Sequence, residues 1–181
     1  TSESEYRSSS DRSLKTSKIH SLTIPELLKL GETKEIEFKA TFSTPIGESV
    51  KTEILQKAVI RGICAFLNTC DGVLLIGIGD QKNSVTGQPE ILGLEADNPK
   101  QKSNDEYDNN FTQVLIRDIG PKAASFVERS FDKSQGKTIY RVNCKKSNEL
   151  VYYRGEDAFV RVGTSSNEVK GAELDSWRAY N

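Results

Sequence analysis

One stretch of the chain, residues 73–78, is apolar throughout, with five aliphatic side chains and one glycine. A strand that is apolar on both faces is typical of the middle of a sheet covered on both sides. The pair Asp71-Gly72 predicts a turn before this strand, and Asp80 follows it. The pattern therefore predicts a buried central strand with a carboxylate at its far end.

Apolar residues recur at helical spacing on both sides of this strand. The first main helix is predicted at residues 50–69, with its apolar residues on one stripe. The second is predicted at residues 111–119, ending at a Gly-Pro pair. A shorter helix is expected to begin after the capping residue Thr23 and to end at Gly31.

From residue 35 onward, apolar and polar residues alternate with a period of two. This alternation predicts a half-buried strand, because successive side chains of a strand point to opposite faces. The apolar face would carry Ile36, Phe38, Ala40 and Phe42, and the polar face Glu35, Glu37, Lys39 and Thr41. The simplest interpretation of the polar face is a solvated surface with charge pairs to a neighbouring strand.

The chain beyond residue 123 is rich in β-branched and aromatic residues. We predict strands at 124–131, 137–144, 150–153 and 158–162, and a closing helix at 173–180. Together with the earlier elements, this predicts an α+β fold with a mixed β-sheet flanked by the two main helices.

Length and composition favour one domain. A chain of 181 residues, of which 35% are hydrophobic and 28% charged, can bury one core. Residues 1–20 are rich in serine and charge, so we expect a disordered linker or tail there and a domain at 21–181. Since the sequence starts at Thr1, we expect another domain before it in the complete protein. The absence of a long apolar run or signal segment predicts a cytoplasmic protein.

Several kinds of site are excluded by the residues present. The net charge of -1 means that a nucleic acid would have to be held by a local basic patch. Three cysteines and a single histidine, His20, predict neither a disulfide framework, nor a zinc site, nor a histidine-based triad. No phosphate-binding P-loop motif is present, and Gly77-Ile-Gly79 lacks the third glycine of a dinucleotide fingerprint.

The remaining motifs, taken in order, resemble those of the Schlafen AlbA-like domain family. The resemblance extends over about residues 22–177. It rests on Glu32-x-x-x-x-Glu37-Phe-Lys39, a helix ending Ala65-Phe-x-Asn-Thr69, a glycine turn, a strand ending Gly77-Ile-Gly-Asp80, and later Tyr152-Tyr-Arg154 and Val160-Arg-Val-Gly-Thr-Ser-Ser166.

The resemblance implies a metal-dependent endoribonuclease acting on structured RNA such as tRNA. It places the catalytic and metal-binding acids at Glu32, Glu37 and Asp80. Carboxylate oxygens are the ligands that Mg²⁺ and Mn²⁺ prefer, so either ion is the expected cofactor. A metal held in this way can activate water and neutralise charge that builds up on a scissile phosphate.

Two departures from the family pattern leave other functions open. Cys70-Asp71-Gly72 stands where the family usually has two glycines, and the chain has one lobe without zinc ligands where Schlafen cores have two lobes and a zinc site. The alternative function is therefore a non-catalytic module that binds DNA or RNA or has a regulatory role. A nucleotide-binding domain is a weaker alternative.

Basic residues on the predicted surface would contact the nucleic-acid backbone. We expect this role for Lys39, Arg61, Lys145, Lys146, Arg154, Arg161 and Lys170. The alternation of residues 152–162 fits an ordinary hairpin equally well. Because one lobe offers few phosphate contacts, we expect a homodimer, with Trp177 and Tyr180 or the C-terminal hairpin as its apolar surface. These two aromatic side chains could equally cover the core of the monomer.

Overall fold

A computed structural model describes residues 17–47, 49–100 and 102–180. Its central sheet has four strands: β1 (Ile36–Lys39), β2 (Gly72–Ile76), β5 (Val127–Ser134) and β6 (Lys137–Cys144). Their spatial order is β1-β2-β6-β5. The first pair is parallel and the other two are antiparallel, so the predicted mixed sheet of an α+β fold is confirmed.

Strand β2 is the predicted central strand, and all of its residues are buried. It ends two residues earlier than predicted because Gly77 takes a φ of +105°, which side chains other than glycine rarely adopt. A Cβ at Gly77 would lie 3.1 Å from the carbonyl carbon of Gly93. The chain therefore bends there into a separate hairpin, β3 (Ile78–Lys82) with β4 (Pro89–Ile91), which carries Asp80.

The helices α2 (Thr52–Thr69) and α3 (Asn104–Ala124) both pack on one face of the sheet, against residues such as Leu74 and Ile76. The opposite face, with Val73 and Leu75, is covered by the short helix α1 (Ile24–Leu30). Helix α3 starts seven residues before its predicted start at 111, where the hydroxyl of Ser103 caps it by accepting the amide hydrogen of Glu106. The first turns of α3 are polar, so they carry no apolar periodicity that could have predicted them.

Asp108 ties α3 to the sheet. Its carboxylate accepts hydrogen bonds from the Arg129 guanidinium at 2.8 Å and from the Tyr140 hydroxyl. Partial burial acts to raise the pKa of Asp108, but these two hydrogen bonds lower it below its ordinary value. The helix and strands β5 and β6 are thus joined by a charged, hydrogen-bonded cluster.

Residues 18–20, at the end of the segment expected to be a linker, belong to a helix. A 3-10 helix, Lys18–Ser21, buries Ile19 in the cluster under α1. The guanidinium of Arg141 donates hydrogen bonds to the carbonyl oxygens of His20 and Leu22 at 3.0 and 2.6 Å. One apolar residue among polar neighbours was too weak a signal to predict this. The rest of the predicted tail, residues 1–16, lies outside the described residues.

A smaller sheet completes the fold. It contains β7 (Tyr152–Tyr153), β8 (Asp157–Val162) and β9 (Ser165–Val169), and is followed by α4 (Gly171–Tyr180). The side-chain amide of Asn68, at the end of α2, donates to the carbonyl oxygens of Val151 and Phe159, both at 2.9 Å. This amide joins the small sheet to α2. Strand β9 was not predicted, because most of its residues are polar.

None of the helices in the described parts of the chain is long and apolar enough to cross a membrane.

Candidate functional site

Two of the three predicted acids, Glu32 and Asp80, line one cleft of about 760 Å³. Glu32 follows Gly31, the residue that ends α1, and Asp80 lies in β3. The turn between β8 and β9 also lines this cleft, at Thr164. We call this the Glu32–Asp80 cleft.

Two lysines that the sequence reasoning missed, Lys29 and Lys82, line the same cleft. Lys29 lies in the last turn of α1, and Lys82 lies two residues after Asp80 on β3. The available signal was the closeness of Lys82 to Asp80 in the sequence, although β3 is irregular between Ile78 and Lys82. The cleft therefore has two acids and two bases on its walls.

Glu32 has a structural contact as well. Its Oε1 accepts a hydrogen bond from the backbone amide of Phe38 at 3.0 Å. This bond holds the carboxylate against β1, while the Asp80 side chain is exposed on the hairpin.

Glu37, the remaining predicted acid, is buried beside the cleft's lining residue Phe38 and does not itself line the cleft. Its Oε2 lies 2.6 Å from Nη1 of Arg161, and its Oε1 lies 2.8 Å from Nζ of Lys39. A Cβ added at Gly62 of α2 would lie 2.7 Å from Oε2. The absence of a side chain at this helical position gives the carboxylate its space. The pairing with Arg161 links β1 to the small sheet, a connection that strand alternation alone did not predict.

Arg161 explains why Glu37 can be buried. Its side chain is 0% exposed, and its guanidinium donates to the carbonyl oxygens of Thr33, Lys34 and Ile36 in addition to Glu37. The guanidinium also packs 4.7 Å from the centre of the Phe66 ring. A buried arginine is stable only when its charge and its N–H groups are matched in this way. Arg161 therefore fixes the loop between Glu32 and Glu37.

The three predicted acids do not fit a three-carboxylate metal site as they are placed. Among residues 17–47, 49–100 and 102–180, no three histidine, cysteine, aspartate or glutamate side chains are grouped so that they could hold a metal ion. Both carboxylate oxygens of Glu37 are engaged by cationic side chains. Glu32 and Asp80 are the pair that share one cleft.

None of the predicted nucleic-acid contacts is among the residues that line the Glu32–Asp80 cleft. Several are paired with acids: Lys39 with Glu37, Arg154 with Asp118, Arg161 with Glu37, and Lys170 with Glu168. Arg61 packs its guanidinium 4.9 Å from the centre of the Phe159 ring. Lys145 and Lys146 are exposed after β6. Of the seven, Arg161 has no side-chain surface open to a phosphate.

The unusual turn Cys70-Asp71-Gly72 has a structural role. Asp71 Oδ1 accepts a hydrogen bond from the amide of Lys146 at 2.7 Å, so the extra acid joins the turn to the segment after β6. Gly72 is required because a Cβ there would overlap the ring of Phe66. Burial raises the pKa of the Cys70 thiol, so this cysteine is not an activated nucleophile.

Comparison with solved structures finds matches at low sequence identity. The DIP2311 protein from Corynebacterium diphtheriae is 16% identical with a TM-score of 0.56, over 81% of this chain and 23% of that chain. The chain thus spans less than a quarter of that protein. The N-terminal domain of a protein from Nitrosomonas europaea, described as related to the ATP-dependent DNA helicase RecG, is 18% identical with a TM-score of 0.47, over 81% of this chain and 90% of that domain.

No curated protein matches the sequence significantly. The family model "Schlafen, AlbA_2" matches residues 32–170. This range runs from the first acid of the Glu32–Asp80 cleft to the end of the small sheet and contains the Glu37–Arg161 pair. The chain belongs to the Schlafen AlbA_2 family.

Proposed function

We propose that the domain binds nucleic acid and that the sugar-phosphate backbone lies in the Glu32–Asp80 cleft. The observation that carries this proposal is the presence of Lys29 and Lys82 on the walls of the cleft, beside the family's acids. Lysine side chains are common phosphate contacts, and a protein with a net charge of -1 must provide them locally. The cleft volume of about 760 Å³ is large enough for a short segment of a nucleic-acid strand.

The binding test is a salt titration with a labelled hairpin RNA. We expect the double variant Lys29→Gln/Lys82→Gln to bind more weakly. The slope of log affinity against log salt concentration should also become less steep, by about 0.7–0.9 for each phosphate that the variant no longer neutralises. Lys133→Gln, an exposed lysine of β5, removes one charge away from the cleft and is the matched control. Unchanged affinity and slope in the double variant would refute this placement of the backbone.

Metal-dependent endoribonuclease activity on structured RNA such as tRNA is our second candidate function. It is supported by Glu32 and Asp80 lining the same cleft as the two lysines. The acids and lysines of the cleft would position an RNA strand, and the lysines would neutralise its phosphate charges. The three acids do not meet at a metal site in this arrangement, so the activity must be tested directly.

A cleavage assay with Mg²⁺ or Mn²⁺ separates the two candidates. Asp80→Asn and Glu32→Gln keep the shapes of the side chains, and Gln at 32 can still accept the Phe38 amide hydrogen. For an endoribonuclease we expect both variants to lose cleavage and keep RNA binding. Binding without cleavage in the unmodified chain would leave the non-catalytic function.

A homodimer remains part of the proposal, since a second copy would double the phosphate contacts. Leu174 and Trp177 of α4 pack on the cluster of Ala158, Val160 and Val169, so this helix covers its own sheet. The side chain of Tyr180 lies outside the described residues. Light scattering at tens of micromolar tests the dimer, and a monomer that binds RNA tightly would show that one copy suffices.

A further inference from the structure

A second cleft, of about 560 Å³, lies where α3 meets the segment before β7. Its walls are partly apolar, formed by residues that include Ile119, Phe126 and Val151. At its mouth are two arginines, Arg117 and Arg154, whose side chains are 50% and 54% exposed. It shares no lining residue with the Glu32–Asp80 cleft.

Both arginines are held by one buried carboxylate. The side chain of Asp118 is 0% exposed, and its Oδ1 lies 2.9 Å from Nε of Arg117 and 3.0 Å from Nε of Arg154. The bonds to Asp118 use Nε and Nη2 of Arg117 but only Nε of Arg154, so each guanidinium keeps further N–H groups for a ligand. One arginine would have neutralised Asp118, so the second leaves a positive charge at the cleft.

The other charged residues of the cleft do not cancel this excess. Lys122 and Glu149 pair with each other at 2.8 Å. The lining residues therefore carry one net positive charge. That charge matches a singly charged anion attached to an apolar group, such as a phosphodiester with a neighbouring base.

The backbone of Arg154 also points to a function for its side chain. Arg154 has a φ of +51° and the next residue, Gly155, a φ of +72°, in the turn where the amide of Glu156 donates to the carbonyl oxygen of Tyr153 at 3.2 Å. This left-handed conformation is less favourable for an arginine than for a glycine. The position is nevertheless occupied by a side chain that reaches Asp118 and the cleft.

We propose that this cleft binds one unpaired nucleotide of a nucleic-acid strand. Its phosphodiester group lies on Arg117 and Arg154, and its base lies against the apolar wall. Arg–phosphate contacts and base contacts with apolar or aromatic side chains are the usual means of holding unpaired nucleotides. The choice of a nucleotide over another anion rests on the proposed function.

The direct test uses the dinucleoside monophosphate ApA, which has one phosphodiester group, in an NMR titration of the whole chain. The variant Arg154→Asn removes the guanidinium but suits the positive φ, so the hairpin is retained. We expect ApA binding to weaken about tenfold in this variant, the effect typical of removing one charge-assisted hydrogen bond. The control Lys133→Gln should change it less than about twofold.

A second arm compares an RNA duplex with and without a single bulged nucleotide. We expect the unmodified chain to prefer the bulged duplex and Arg154→Asn to lose that preference. Equal weakening of both duplexes would overturn the inference, since it would show only general electrostatics. Tighter binding of N-acetylphenylalanine than of ApA would also overturn it, because the cleft would then prefer an apolar carboxylate.

The proposals for the two clefts can be refuted separately. RNA binding that depends on Lys29 and Lys82 but is unchanged in Arg154→Asn, with no ApA binding, overturns this inference and leaves the proposed function standing. The opposite result is ApA binding that is lost in Arg154→Asn together with an RNA affinity that is unchanged in Lys29→Gln/Lys82→Gln. It would support the inference and refute the proposed path of the backbone through the Glu32–Asp80 cleft.

Discussion

Replacing Glu37 by glutamine should destabilise the domain strongly. The substitution leaves the Arg161 guanidinium, whose side chain is 0% exposed, without its charge partner at 2.6 Å. Removing one member of a buried ion pair costs about 3–5 kcal/mol. The glutamine oxygen can still accept one hydrogen bond, so we expect a loss near the lower end, about 3 kcal/mol. The contact with Lys39, which is 30% exposed, adds little.

Urea denaturation followed by circular dichroism measures this loss as a lower midpoint at an unchanged slope. For a domain of this size, a loss of about 3 kcal/mol corresponds to a melting temperature lower by roughly 6–12 °C. Glu35→Gln is the matched control, because Glu35 is exposed two residues earlier on the same segment. We expect the control to stay within about 0.5 kcal/mol of the unmodified chain.

A double-mutant cycle with Arg161→Met sharpens the test. If the pair is buried as described, Glu37→Gln/Arg161→Met should be less destabilised than the sum of the two single variants, by at least about 1 kcal/mol. A loss below about 1 kcal/mol for Glu37→Gln, together with additive single effects, would refute the buried pair. The carboxylate would then be free for the cleft.

Three further predictions follow from the described contacts. Gly62→Ala should destabilise by about 1–3 kcal/mol in urea, despite the better helix propensity of alanine, because its Cβ would press on the Glu37 carboxylate; a stabilised variant would contradict this. Asp108 has a lowered pKa, so it contributes stability above its unfolded pKa that is lost as pH falls through its folded pKa. We expect the stability of Asp108→Asn in urea to decline less steeply as the pH is lowered. An acid-side pH dependence equal to that of the unmodified chain would contradict this. Burial raises the pKa of the Cys64 thiol to about 12, so thiol reagents at pH 8 should modify it only on unfolding.

The parts of the fold that could be predicted from the sequence are those governed by local periodicity. The apolar run of β2 and the helical stripe of α2 identify these elements because burial on fixed faces demands those patterns. The end of β2 was misplaced because Gly77 looks like a packing residue within a strand, whereas its left-handed φ turns the chain. A break of this kind depends on the close approach of Gly93, which is distant in sequence.

The candidate site was predictable only in part for a similar reason. The family motif identifies Glu32 and Asp80, and the structure places both on one cleft. The orientation of Glu37 depends on Arg161, and no local pattern joins two residues 124 positions apart. The polar face of a strand, which alternation alone would assign to solvent, can thus be buried when a distant arginine matches its charge.

The distance in sequence between Glu37 and Arg161 also governs when the site can form during synthesis. After Glu37 the ribosome adds 124 residues to reach Arg161, which at 5–20 residues per second takes roughly 6–25 s. Until then the carbonyl oxygens of Thr33, Lys34 and Ile36 lack the guanidinium that holds them. The loop between Glu32 and Glu37 can therefore be fixed only after the strand that carries Arg161 has been synthesised. Until then the nascent chain cannot form the complete Glu32–Asp80 cleft.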